Sequence, residues 1–305
     1  MTKVYHLAFG LATLFCFTTS IFGQSRSIGF DTKAIEEITG IKGTVNNDER
    51  VFKISIPRSD LPVTIDGWAM KPFMGLTSWA AFRKGVEKEA MVMGDLVLFE
   101  DEVNPVMTAA LENGLNVTAL HNHFFYDDPR VYFMHIGGDG SFRTFATALR
   151  KTQDMIKEIR AANPKPVKGF PGPPLPQESS INGQEIERIL GTPGQENSGM
   201  FKVIIGRTAT MPCGCEARKE LGVNTWAAFA GSPENSFVDG DFAVLEGELQ
   251  NVLKTLRSGQ INIVAIHHHM VDEKPRYLFL HYWGKGPATQ LAEVLKKALD
   301  QTKLD

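Results

Sequence analysis

Gly94-Asp95-Leu96-Val97-Leu98-Phe99-Glu100-Asp101-Glu102-Val103 returns 146 residues later as Gly240-Asp241-Phe242-Ala243-Val244-Leu245-Glu246-Gly247-Glu248-Leu249. Outward from this pair the agreement continues. Trp79-Ala80-Ala81-Phe82 matches Trp226-Ala227-Ala228-Phe229, His121-Asn122-His123 matches His267-His268-His269, Pro129-Arg130 matches Pro275-Arg276, and His135 matches His281. Seven of the eight histidines fall in this pattern, so the chain reads as a tandem duplication rather than a coincidence of rare residues. Between the copies, Pro164, Pro166, Pro171, Pro173, Pro174 and Pro176 stand among Gly and Ser, a composition that neither continues a helix nor joins a sheet interior. The expected layout is a first repeat domain over residues 28–160, a proline-rich linker over 161–180 and a second repeat domain over 181–305. Each copy would have its own core, a pseudo-dimer within one chain.

Inside each copy the hydrophobic period alternates between two and 3.6. Phe52 to Ile56, Phe201 to Ile205, the two Trp-Ala-Ala-Phe segments and the stretches before Glu100 and Glu246 read as strands. Pro105 to Leu111 and Gln250 to Leu256 space their apolar residues for helices, stopped by Asn113-Gly114 and Ser258-Gly259. Asn116 to Phe124 and Val131 to Gly137 follow as two strands about Asp127-Asp128-Pro129, and Phe142 to Ile159 as a long amphipathic helix. Strand, helix, hairpin, helix predicts an α+β class. The expectation is two tandem ferredoxin-like domains, each an antiparallel or mixed sheet with helices on one face, the sheet order left open.

With 43% apolar and 22% charged residues the chain is globular, and a net charge of −3 without any basic stripe argues against nucleic acid as a partner. At the N-terminus Lys3 precedes an apolar run from Leu7 to Phe17, then Thr18, Ser20 and Gly23. That layout predicts a signal peptide over residues 1–23 and export to a periplasmic or extracellular space. The run is too short for a membrane span, which needs about 20 apolar residues. Three cysteines, Cys16, Cys213 and Cys215, are too few for a disulfide scaffold. Cys213-Gly214-Cys215 replaces Asp66-Gly67-Trp68 of the first copy, so it lies outside the duplicated chemistry and reads as a local disulfide or a free pair. Gly191, Gly194 and Gly199 lack the Gly-Lys-Ser/Thr of a phosphate loop and read as helix-stop turns, as Gly40 and Gly43 do.

The histidines carry the chemistry. His121 and His123 are two apart on a strand, so they share a face from which Asn122 is excluded. A hairpin folded about Asp128 would set His121 beside His135 and His123 beside Phe133, with directly opposed Cβ atoms about 4.5 to 5.5 Å apart. His267, His269 and His281 repeat the pattern, and His268 points away. Three neutral imidazoles with an open side are the ligand set of zinc or another divalent transition metal, completed by a carboxylate or water. The alternative is a set of hydrogen-bonded core or interface histidines. Glu100 or Glu102, where the strand enters the helix, and their partners Glu246 and Glu248 are the available carboxylates; Glu102 and Glu248 are candidate ligands or general bases, or else acids favoured by the helix dipole. Arg130 and Arg276, each after a proline at a hairpin mouth, are candidates for binding a small anionic ligand, or else solvated turn residues.

The segments Trp79-Ala80-Ala81-Phe82, Met93 to Leu98, Glu102-Val103-Asn104-Pro105-Val106, Leu120-His121-Asn122-His123, Pro129-Arg130 and Met134-His135-Ile136 resemble the LppY/LpqO-type family of exported proteins built on a domain of unknown function. The resemblance covers most of both copies and implies export and duplication, without supplying a reaction. Some relatives are lipoproteins, whereas here Phe15 stands before Cys16, where lipid attachment needs a small residue. These readings converge on an exported metal-dependent hydrolase with a three-histidine site in each copy. A non-catalytic module that binds a metal or a small anion is the alternative.

Overall fold

Asp31 accepts a hydrogen bond from the Ala34 amide and starts the first helix, which Gly40 ends in the left-handed region. Asn182 and Gly191 do the same for its counterpart, as the helix-stop reading expects. The structure, a computed structural model, describes Met1 and residues 28–169 and 172–303. The expected leader, Met1 apart, lies outside the described residues.

Copy one runs α1 (Thr32–Thr39), β1 (Gly43–Asn46), β2 (Val51–Pro57), β3 (Val63–Ile65), β4 (Trp68–Met70), β5 (Thr77–Lys84), β6 (Ala90–Phe99), α2 (Val103–Glu112), β7 (Asn116–His121), β8 (Asp127–Asp128), β9 (Val131–Gly140) and α3 (Phe142–Ala162). Copy two runs α4 (Gly183–Leu190), β10 (Gly194–Asn197), β11 (Met200–Gly206), β12 (Ala209–Thr210), β13 (Glu216–Ala217), β14 (Asn224–Gly231), β15 (Ser236–Leu245), α5 (Leu249–Ser258), β16 (Asn262–His267), β17 (Tyr277–Gly286) and α6 (Ala288–Leu299). Among the described residues no helix is long and apolar enough to cross a membrane.

The class is α+β. Twelve of the described strands form one sheet in the order β1-β2-β5-β6-β9-β7-β16-β17-β15-β14-β11-β10, antiparallel throughout, so a mixed sheet is excluded. Strand alternation divides its faces. On β9, Met134 and Ile136 join the large apolar cluster with Val106 and Met107 of α2 and Phe145 and Leu149 of α3. Val131 and Phe133 point the other way, into a smaller cluster with Val63, Val97 and Phe99. In copy two Leu280 and Tyr282 face the helices, whereas Tyr277 and Phe279 pack with Ala209 and Ala217. Among the described residues the second face carries small flaps, β3 with β4 and β8 in one copy, β12 with β13 in the other.

The two copies meet at Leu120 of β7 paired with Ile266 of β16, both buried. A reciprocal clamp secures this seam. Asn104 of α2 accepts from the Ile263 amide at 2.8 Å and donates to the Ile263 carbonyl at 3.2 Å. Gln250, its counterpart on α5, accepts from the Val117 amide at 3.0 Å and donates to the Val117 carbonyl at 2.8 Å. Val117 and Ile263 each border a bulge in their own hairpin, where the ladder leaves backbone groups to be satisfied from outside. The expectation of separate cores does not hold: one apolar cluster runs through both copies. The physical reason is that β7 and β16, left as edges, would expose unpaired backbone groups and a cut apolar face.

Candidate functional site

β7 leaves the sheet at His121, and its partner β9 begins at Val131. The connection is longer than a turn centred on Asp128, because Asp127 and Asp128 are drawn away to pair with Ile65 and Thr64 of β3. Asp127 then holds the start of β9 by accepting from the Val131 amide at 2.7 Å. His121 consequently stands opposite Phe133, and His135 opposite Ala119. In copy two His267 stands opposite Phe279, and His281 opposite Ala265. The expected pairing of His121 with His135, and of His267 with His281, is thus displaced by two residues. A slip of two keeps every side chain on its face, whereas a slip of one would have reversed them all, so the histidines still converge.

In copy two one ring nitrogen from each of His267, His269 and His281 lies within 4.8 Å of the other two. His269, beyond the end of β16, stacks on Phe279 with ring centroids 3.6 Å apart. In copy one His123 stacks on Phe133 at 3.4 Å, and the Nε2 atoms of His121 and His135 approach to 3.1 Å. Burial, followed by its histidine neighbours, pushes His269 down to about 4 and lowers His267. His123 is lowered for the same reason, its neighbour His121 adding to burial. Imidazoles held neutral in this way keep their lone pairs for a metal.

A carboxylate flanks the histidines in each copy, and it is not a glutamate; the histidines of copy two alone draw their ring nitrogens within 4.8 Å of one another. Across β6 and β9, Asp95 pairs with His135; across β15 and β17, Asp241 pairs with His281. Asp241 is 3% exposed, its Oδ2 lies 3.5 Å from His269 Nε2, and its Oδ1 is buried without a hydrogen-bond partner. Asp95 Oδ1 is likewise buried and unpartnered. Burial pushes Asp241 up to about 6, against the pull of His281. Unpartnered polar atoms of this kind are costly, and a cation among the rings would satisfy the aspartate. Each aspartate follows the glycine of the repeated Gly-Asp pair. A Cβ on Gly94 would stand 2.6 Å from the Trp79 carbonyl oxygen, and one on Gly240 would stand 2.3 Å from that of Trp226. The sequence reading missed both aspartates, although the Gly-Asp pair repeats at the same offset as the histidines.

Glu102 and Glu248 serve elsewhere, which corrects their expected place in the site. Glu102 is fully buried and accepts from Arg58 at 2.6 and 3.0 Å and from the Phe99 amide at 2.9 Å, with Arg160 also against it. Glu248 accepts from Arg207 at 2.7 and 3.2 Å and from the Leu245 and Lys303 amides. Burial would raise the Glu248 carboxyl, but Arg207 and the two amides hold it below its usual range. Both carboxylates therefore tie a strand end to a helix start.

Arg130 is exposed, its Nη1 3.6 Å from Glu100, and Arg276 is exposed as well. His268 is outside the cluster: its Nδ1 lies 2.9 Å from the Tyr277 carbonyl oxygen, where Asn122 Nδ2 donates to the Val131 carbonyl at 2.9 Å. Cys213 and Cys215 are exposed and not disulfide-bonded in the turn between β12 and β13, away from the histidines.

No curated protein matches the chain. Among solved structures, a trimeric bacterial microcompartment shell protein, PduB, is similar at 10% identity over 83% of this chain and 88% of that one, with a TM-score of 0.20. A likeness that slight carries no argument. A family model matches residues 33–155 and again 184–301, most of each copy. The chain accordingly belongs, twice over, to the family described as Domain of Unknown Function (DUF1259).

Proposed function

We propose that this chain is an exported metalloprotein that holds a divalent transition metal, zinc foremost, on His267, His269 and His281 with Asp241, and on His121, His123 and His135 with Asp95. The observation that carries the reading is the meeting of three imidazole donors within 4.8 Å beside a buried aspartate whose Oδ1 has no other partner. A hydrolase is the activity we assign: a divalent metal would supply Lewis acidity, and the aspartate would take a proton or orient the reacting group. The exposed Arg130 and Arg276 support a small anionic ligand at the hairpin mouths. Export is supported by the apolar run from Leu7 to Phe17, and the LppY/LpqO-type likeness of the Leu-His-Asn-His and Met-His-Ile segments agrees with it. We further read each copy as ferredoxin-like, since β9 lies between β6 and β7 and α2 and α3 follow the strands as that unit requires.

A second reading, a non-catalytic metal-binding module, is favoured by the aspartate itself. With the aspartate as fourth ligand the three histidines would make a filled tetrahedral shell, as in structural sites, whereas with the aspartate beside the metal the fourth position stays open to a ligand. Elemental analysis of protein purified without chelator tests the metal, with about two equivalents per chain expected if each cluster holds one metal. A chain free of metal both as purified and after dialysis against zinc overturns the proposal. Chelator-sensitive turnover of activated esters or phosphoesters would then separate hydrolase from module.

A further inference from the structure

The two histidine clusters are neighbours. β7 and β16 are paired antiparallel at Leu120 and Ile266, which both turn toward the helices. Carrying that pairing one residue either way sets Ala119 opposite His267 and Ala265 opposite His121, all four on the face away from the helices. With the hairpin registers, one row across the four central strands reads His135, Ala119, His267, Phe279, and the next reads Phe133, His121, Ala265, His281. A local two-fold axis through Leu120 and Ile266 exchanges the rows. His121 and His267 are diagonal neighbours across the seam, about 7 to 8 Å apart by the geometry of such pairs. The positions between them carry only the methyl groups of Ala119 and Ala265, and the flaps of β3, β4 and β8 and of β12 and β13 cover the outer parts of the face instead.

Charge defines what fits this place. Each cluster, with neutral imidazoles and one aspartate, would leave a divalent ion with one surplus positive charge. Two such charges would face the same open strip about two strand spacings apart, on the order of 10 Å. Resting on the metal reading above, we infer that the two copies form one bipartite site, and that its ligand is a short linear dianion whose two anionic groups bridge the two metals across Ala119 and Ala265. The duplication then has a chemical use, since neither copy alone could engage both ends of such a molecule. Bridging makes the second contact intramolecular, which raises affinity by about 10²-fold or more when the spacing matches, and by nothing when it does not.

The test uses the full chain loaded with zinc to a measured two equivalents, titrated calorimetrically with acetate and with linear dicarboxylates from malonate to sebacate. One dicarboxylate of intermediate length should bind once per chain and about 10²-fold more tightly than acetate, shorter and longer members less so. His135→Ala and His281→Ala, each emptying one cluster, should both reduce that ligand to the acetate level. In case a variant fails to fold, the unaltered chain loaded with Cu(II) gives a second measure. Its frozen-solution electron paramagnetic resonance spectrum should show dipolar broadening at two equivalents that is absent from a sample with only one cluster filled. Two bound metals with dicarboxylates binding twice per chain at acetate affinity would overturn the bridging proposal and leave the metal reading standing. A chain that takes up no metal overturns both.

Discussion

His268 and Asn122 occupy one position of the repeat, and both reach the carbonyl of the residue that opens the return strand. An amide does that work as well as an imidazole. His268→Asn should therefore leave the metal content of copy two unchanged, whereas His269→Ala, which removes a ring nitrogen from the cluster, should lower it; the reverse pattern in elemental analysis would require the site to be redrawn. Glu248 makes a different prediction. Its carboxyl is held below the usual range by Arg207 and two backbone amides, so it contributes stability that is complete above the ordinary carboxylate value of about 4.3 and is lost as pH falls through its lower folded value. Glu248→Gln breaks a buried pair from one side and should cost about 3 to 5 kcal/mol at neutral pH. Urea denaturation at pH 7 and pH 3.5 should find the gap between variant and parent narrowed at the lower pH. At this scale the histidines were legible because rare residues repeat at one spacing. The aspartates were not, because Asp95 meets His135 only through the β6–β9 pairing, and side-by-side placement of strands forty residues apart leaves no local pattern. Glu102 and Glu248 misled because an acid at a helix start looks the same whether it faces a metal or an arginine.

Among the elements, the hairpin of β7 and β9 was anticipated from alternation and its register was missed by two. Alternation fixes which face a residue takes, while register depends on how the connection is anchored, here by β3 and by a bulge after Val117. The same bulge, with its counterpart after Ile263, explains Asn104 and Gln250. These two side chains each satisfy both backbone groups of a residue in the other copy. Gln250→Ala leaves the Val117 amide and carbonyl without that partner and should destabilise by about 1 to 3 kcal/mol, as should Asn104→Ala at Ile263. Denaturant midpoints of the single and double variants check this, and a loss confined to background would show that water replaces the clamp. The helices followed more closely from sequence, since their apolar stripes face the same sheet throughout and their caps are local.

For the whole molecule, the duplication was legible and the joining of the copies was not. Repetition is visible in a sequence, whereas the pairing of Leu120 with Ile266 is one contact between edges that look alike. Residues 28–160 produced alone should bury β7 against a second copy, running in light scattering as a dimer or larger; a stable monomer would show that the seam is dispensable. Fusion of the halves has a further consequence, which lies in how the protein can change. In a dimer of identical chains every substitution strikes both halves at once, and one that helps at one site is imposed on the other. Here each half is written separately. That freedom has already been used on the flaps, where one half carries Asp66 and Trp68 at the positions that hold Cys213 and Cys215 in the other. A single lineage of mutations can therefore give the two ends of the molecule different tastes while the axis between them stays intact.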